Sequence, residues 1–510
     1  RTAAAGLLGL AACAPDTPPA ATLPPAGTAD FEATIARLEA RDPESPESLN
    51  ARLEYADFLS GSDGGDCGKR LDTAEAQLDA ISVRPALGVV LALGPAKLQS
   101  AEYKIHAARA DCDPGRRQDE LKDALEAARD SAGLYRDALE YQSAAIMQFN
   151  AAATEHDLGD VPAAIHALEA AIAMDRDYGF RGDAEDNIRL LQHWRGEDES
   201  DARIAELMKD FPARSAEFKF HWSSTDADVA VAATDTSLVH GKIIRSQATI
   251  GLKRQIRPAH TGWTVSSEPG NSHYEVGAWP ADTKKLEWTM LYFLTSALLL
   301  TPSIQVSSNG DFNSVPNSKA FGANLADEVS ARISAEIGGS ASENSRGLSA
   351  AFSPDFIESS AAQDYGIRTA TWIGAKLDQG RWYQMSAPLY LPSLALGHYI
   401  VRHNVSFAFT RELPCGAGSD RRCVEIAVHA TPDADDLKQV IAEVAHDLKL
   451  PPSQLLHYWS QTDLRLVIDP ETLLTYVCDI KQSWYGALSG PGEGDPIIES
   501  VRTVSTSTYH

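Results

Sequence analysis

The signatures of common catalytic machinery are missing from this chain. No GxSxG, HExxH, GxGxxG or GxxxxGK[ST] occurs, which excludes a nucleophile elbow, a zincin helix, a dinucleotide fingerprint and a P-loop. No CxxC pair is present and the 14 histidines stand at no ligand spacing, so no metal and no other cofactor is expected. Positive charge is in deficit: 45 Lys and Arg face 71 Asp and Glu, for a net charge of −26. That sign repels phosphate backbones, and nucleic acid is not expected as a partner. Aromatic residues make up only 7%. The most apolar run, Lys285–Leu300, carries Glu287 inside it and is short for a membrane-crossing helix, which needs about 20 apolar residues. A helix over 284–300, lying across a sheet, is the expectation.

What is present begins at the first residues. Thr2–Ala12 reads TAAAGLLGLAA, small, apolar and uncharged, the look of a signal core with a small-residue cleavage site. It ends in Leu10-Ala11-Ala12-Cys13, which resembles the lipobox of bacterial lipoprotein precursors. The resemblance implies that residues 1–12 are a cleaved leader whose start lies upstream of Arg1. It also implies that Cys13 is lipidated and that the protein is held on a membrane of the cell envelope. Ala14 stands where an Asp would retain it at the inner membrane, so the expectation leans to the outer membrane, facing the periplasm. Residues 13–29 hold five prolines and no large aromatic. Such a segment is a tether, reaching about 50 Å if extended at about 3.1 Å per residue.

Six cysteines suit an oxidising compartment. Cys415 and Cys423 flank GAGSDRR, a polar turn between strand-like runs, and a disulfide is expected there. Cys67 and Cys112 lie in polar segments bounding helices and are paired next. Cys478 is left over in a strand-like run, where a free thiol behaves as a small buried hydrophobe.

Residues 30–213 are rich in Ala, Leu, Glu, Asp and Arg, with apolar residues three and four apart, as in Ile165, Leu168, Ala171 and Ile172. This is the helical period. Asn150–Tyr178, NAAATEHDLGDVPAAIHALEAAIAMDRDY, resembles a tetratricopeptide repeat. Ala152 fits the first-helix contact position, Gly159 and Asp160 the turn, and Ala164, Leu168 and Ala171 the small, large, small positions of the second helix. Arg176 stands in place of the usual Pro. A weaker copy runs through Asn187, Leu190, Leu191 and Gly196 to Phe211-Pro212, and a third helical pair spans Leu49–Leu59 and Arg70–Ile81. Further helices are expected over Lys97–Ala110 and, unbroken, over Gln118–Ala145. The resemblance implies a solenoid whose groove engages a partner protein.

From Ser215 the period changes to two. Phe218-Lys219-Phe220-His221-Trp222 alternates, as do Val229–Val231 and Lys242–Gln255, the pattern of half-buried strands. Asn309-Gly310 marks a hairpin turn, and Asp469-Pro470 another. Strands are expected over Tyr399–Thr410, Val424–His429, Asp463–Ile468 and Leu473–Trp484, with helices near 324–337 and 433–450. The fold class is therefore α+β: a helical repeat domain over 30–213, then an antiparallel, sheet-rich domain with helices over 215–510. The hairpins are similar in pattern to the curved sheets of periplasmic lipoprotein carriers, whose apolar inner face is plugged by a helix.

No catalytic residue is assigned. Asp433, Asp435 and Asp436 are read as capping their helix. Asp226, Asp228 and Asp235 offer carboxylates without a calcium-loop spacing. Trp372, Trp382 and Tyr383 are either core or an aromatic ligand wall. The reading favoured is a non-catalytic envelope lipoprotein whose helices hold a partner protein. Two others stay open: a carrier with an apolar ligand under its sheet, and an envelope-polymer hydrolase with its site in that domain.

Overall fold

The computed structural model describes residues 27–62, 66–84, 86–91, 93–211, 214–239, 242–275, 302–337, 352–391, 399–416, 419–447, 455–489 and 497–510. The lipobox-like segment, most of the tether and the expected helix over 284–300 lie outside them. It is an α+β fold, as the change of period at Ser215 predicts: a helical layer, then a large antiparallel sheet with helices on its other side.

The helical region comprises α1 (Thr28–Glu39), α2 (Pro46–Gly61), α3 (Cys67–Ser82), α4 (Ala86–Val90), α5 (Gly94–Cys112), α6 (Arg117–Asp137), α7 (Tyr141–Asp157), α8 (Val161–Tyr178), α9 (Arg181–Arg195) and α10 (Asp201–Leu207). Local chemistry sets their ends. Ser45, Asp66 and Asp160 each accept a backbone N–H at the start of α2, α3 and α8, replacing a bond the first turn cannot make internally. Gly159, Gly179 and Gly196 take positive φ at the turns, where a Cβ is disfavoured. Ala152, Ala164, Leu168 and Ala171 are all fully buried, so the small residues singled out over Asn150–Tyr178 do lie in packed positions on α7 and α8.

The unbroken helix expected over 118–145 is a misreading. Leu139 takes φ +67° and the chain turns between α6 and α7, with the Glu140 N–H donating to Tyr135 O at 2.9 Å. A left-handed conformation at a β-carbon residue costs about 1–2 kcal/mol. It is tolerated here because the break brings Glu140 and Tyr141 onto the sheet.

The sheet domain contains β1 (Ser215–Glu217), β2 (Thr225–Val239), β3 (Lys242–Ala259), β4 (Gly262–Glu275), β5 (Ile304–Ser307), β6 (Phe312–Ser314), β7 (Lys376–Asp378), β8 (Trp382–Tyr390), β9 (Ile400–Pro414), β10 (Arg422–Pro432), β11 (Leu455–Ile468), β12 (Thr475–Ser489) and β13 (Ile497–Tyr509). Its helices are α11 (Ser318–Ile337), α12 (Pro354–Arg368) and α13 (Ala434–Asp447). β1 and β7 form a small ribbon; the other strands make one sheet of order β6-β5-β4-β3-β2-β13-β12-β11-β10-β9-β8. Two antiparallel runs therefore meet at a seam, where β2 pairs with β13 in the register Val231↔Ser505.

Strand alternation sends neighbouring side chains to opposite faces. Leu238, Tyr485 and Ile498 point to the helical layer and join its core with Leu49, Leu71 and Leu87. The other face carries α11, α12 and α13. At its β8–β11 end that face is solid: Phe407, Phe409, Ile426 and Leu466 pack with Phe218 and Trp372.

Two disulfides are present, Cys67–Cys112 and Cys415–Cys423, with Cα atoms 6.4 and 4.8 Å apart. Cys478 is free and buried. Among the described residues no helix is long and apolar enough to cross a membrane.

Candidate functional site

Where the β8–β11 end of the inner face is filled, the β2–β5 end is hollow. A cavity of about 270 Å³ lies between the sheet and α11–α12. Its floor is built by alternation: Leu252, Arg254 and Ile256 of β3, beside Val231 of β2 and Val265 and Ser267 of β4. Its roof is one stripe of α12, where Ile357, Ala361 and Tyr365 recur every four residues and so share a helix face, with Phe321 and Leu325 of α11 beside them. The roof is held down locally. Tyr365 Oη donates to Gly310 O in the β5–β6 turn at 2.8 Å. At Gly322 a Cβ would stand 2.2 Å from Phe352 O, so only glycine lets α11 approach the backbone this closely.

The wall is mostly apolar, with polar side chains such as Ser360, Gln482 and Thr503 among the aliphatic and aromatic ones. Arg368 Nε donates to Asp364 Oδ1 at 2.7 Å and its Nη1 to Ser505 Oγ at 2.9 Å. Burial disfavours the Arg368 charge, and the Asp364 carboxylate beside it more than offsets that. Burial likewise pushes the Cys478 thiol up to about 11, with Arg368 and Arg254 acting against it. That thiol stays protonated at neutral pH, which suits a core residue and not a nucleophile.

Two other polar clusters are products of the fold that sequence spacing could not show. Asp235 and Glu499 meet across the β2–β13 seam by a side-chain hydrogen bond. Burial pushes Asp235 up to about 6, against hydrogen bonds from Ser237 and Glu499. Burial, and then the Asp235 charge, hold Glu499 well above the usual carboxylate range. The pair shares a proton, as two adjacent carboxyls must. Glu499 is only 3% exposed, and neither residue lines the cavity. In the helical layer His106, Glu120 and Asp123 place ligand atoms within 4.8 Å of one another. The Glu120 charge is already met there, by His106 and by Arg116, each at 2.8 Å.

The contact between the layers is polar as well as apolar. Glu425 of β10 receives Arg465 at 2.7 Å, Arg411 at 3.2 Å, Thr410 Oγ1 at 2.9 Å and Tyr141 Oη at 3.0 Å. Arg411 lies over Tyr178, 5.4 Å from the ring centroid, and Tyr178 stacks on Tyr141. Nearby, His429 contacts Asp463 at 2.7 Å and Glu140 at 3.2 Å. Burial opposes its charge, but the two carboxylates outweigh burial and push its pKa up to about 9.

A pKa raised above its unfolded value of about 6.5 contributes stability that is complete below that pH. The contribution fades as pH rises through about 9. The protein is therefore expected to lose about 3 kcal/mol of stability between pH 6.5 and pH 9.5 from this residue alone. Urea unfolding of the wild type and of His429→Gln across that window checks it; equal pH slopes in the two proteins would refute the assignment.

Asp433 Oδ1 accepts the Asp435 and Asp436 N–H groups, the capping role expected. Asp226 pairs with Arg257 and Asp228 with His510, while Asp235 lies on the opposite face with Glu499, so the three aspartates form no common site. Trp372 and Tyr383 pack against Phe407 and Trp382 stacks on His429; none lines the cavity. They are core and layer contacts and not a ligand wall. The cavity residues Arg254 and Trp222 were visible only as members of alternating runs. An arginine in register with Ile250, Leu252 and Ile256 was the available signal.

No family model matches the chain, and no curated protein matches it. Among solved structures, one titled "lipid-protein interactions in lipovitellin" is similar at 12% identity, over 57% of this chain and 26% of that one, with a TM-score of 0.28. The chain thus spans about a quarter of that protein, and a likeness at this level carries no argument about fold or function.

Proposed function

We propose that this protein binds a small apolar molecule in the cavity beneath its sheet and holds it at the cell envelope, tethered through Cys13. The observation that supports the first half is the cavity itself. Close packing is the rule in protein interiors, yet about 270 Å³ stays open beside a core that is solid a few strands away. An apolar cavity of about 150 Å³ is enough to hold benzene, so this one has room for roughly eleven non-hydrogen atoms. The tether rests on the resemblance at Leu10–Cys13.

The helical layer supports a structural role for its sheet-facing side. Tyr141, Tyr178, Glu140 and Arg41 are engaged with sheet residues, so a partner protein would meet the outward surface of α7–α9. The Asp235–Glu499 pair does not support a hydrolase site in the cavity, since neither residue lines it.

The test is titration with the neutral fluorophore 1-aminonaphthalene, small enough at about eleven non-hydrogen atoms for that room, using protein expressed from Arg1 behind a bacterial start codon and basic leader. Saturable enhancement at one probe per chain is expected in the wild type. Ala361→Trp fills the cavity from α12 and should abolish it, with an unchanged far-UV spectrum as the folding control. Equal binding by the filled variant would overturn the cavity reading. Recovery of the wild type in the soluble fraction would overturn the tether.

A further inference from the structure

We infer that the ligand is a single-chain amphiphile with an anionic head, a medium-chain carboxylate being the simplest, and that Arg254 receives the head. This rests on the apolar-ligand reading above and names its chemistry.

Ile250, Leu252 and Ile256 present an apolar row to the inner face, and Arg254 interrupts it. Its cross-strand neighbours are Ala227 on β2 and Ser267 on β4, small side chains without a carboxylate. Among the described residues nothing forms a hydrogen bond or ion pair with Arg254, and its Nε is buried without a partner. The contrast with Arg368 on the same wall is direct. That guanidinium is met by Asp364 and Ser505, so Asp364 is committed and does not neutralise Arg254.

A second donor is in the same condition. Trp222 also lines the cavity, and its Nε1 is buried without a partner. Guanidinium and indole N–H groups donate only. What these two donors lack is therefore an acceptor, and a buried donor left unmade is unfavourable. An anionic oxygen supplies the acceptor and the countercharge together, and arginine's planar fork suits a carboxylate. The rest of the lining is mostly aliphatic and aromatic, which suits a hydrocarbon tail. With a net charge of −26 the protein has no general affinity for anions, so a cation retained in this interior row is a local device. The volume, about 270 Å³, fits one short chain and not a two-chain phospholipid.

Isothermal titration of the full chain tests this with decanoate, decan-1-ol, decyltrimethylammonium and inorganic phosphate. In the wild type decanoate is expected to bind one per chain and at least tenfold tighter than decan-1-ol. The ammonium amphiphile and phosphate should not bind. Arg254→Gln should lose at least tenfold for decanoate and leave decan-1-ol unchanged, and Arg254→Lys should recover part of the loss. Decan-1-ol binding as tightly as decanoate, or decanoate binding unaffected in Arg254→Gln, overturns the anionic head while the apolar-ligand reading stands. Phosphate binding at Arg254 without decanoate binding overturns the amphiphile and points to a free anion. If no amphiphile and no neutral fluorophore bind, the apolar-ligand reading itself falls. The wild-type ranking needs no variant, so a poorly folded Arg254→Gln leaves the test decisive.

Discussion

Glu425→Ala is expected to destabilise the protein by about 3–5 kcal/mol, the range for breaking a buried ion pair by removing one partner. Glu425 is 1% exposed and its side chain meets Arg411, Arg465, Thr410 and Tyr141. Desolvation alone would raise its pKa, yet Arg465 and Arg411 hold it below the ordinary glutamate value. Removing the carboxylate leaves two guanidiniums facing each other and takes the acceptor from the Tyr141 hydroxyl. Because Tyr141 belongs to α7 and the arginines to the sheet, the loss falls on the contact between the layers. Urea unfolding should show the lowered midpoint, and limited proteolysis should show earlier cleavage between the helical region and β1. An unfolding free energy within about 1 kcal/mol of wild type would mean that apolar contacts alone hold the layers together. Glu425→Gln keeps the shape and two acceptor sites, and its loss should be smaller.

The second large effect belongs to Cys67–Cys112. This bond joins the start of α3 to the end of α5 across a sequence separation of 45. Constraint of the unfolded chain by a loop of that length is worth about 4 kcal/mol, against about 2.5 kcal/mol for the separation of 8 at Cys415–Cys423. Cys67→Ser with Cys112→Ser should therefore lower the stability of the helical layer by more than Cys415→Ser with Cys423→Ser lowers that of the sheet. The measurement is denaturant unfolding of both double variants beside the wild type, each without reductant. Equal losses, or a larger one for the short loop, would contradict loop closure as the source.

The sequence shows most of the elements and little of their arrangement. Gly159 between two Ala-rich periodic segments marks the α7–α8 pair, because glycine and helical period act locally. Leu139 gave no such mark; its left-handed turn is imposed by contacts of Glu140 and Tyr141 with strands far along the chain. The alternating runs expose β2, β3, β9 and β10, but strand order depends on pairings such as Val231 with Ser505 that no local pattern encodes. The site shows the same division. Arg254 is plain in the sequence as an arginine in an apolar register, yet only the fold shows that no acid stands opposite it. Trp372, Trp382 and Tyr383 drew attention as aromatics in a chain with few, and the fold uses them for packing.

The seam between β2 and β13 also sets a time order. Val231 cannot find its partner until Ser505 has been made, and among the described residues β13 alone pairs with β2 to join the two antiparallel runs of the sheet. Until then the chain presents the open edges of β2 and β12, pairing surfaces that invite aggregation. Such a topology folds slowly, since distant pairings wait on long loops closing. Under the envelope tether proposed above, the chain would cross a membrane before folding, and that delay would keep the sheet from locking while the polypeptide is threaded.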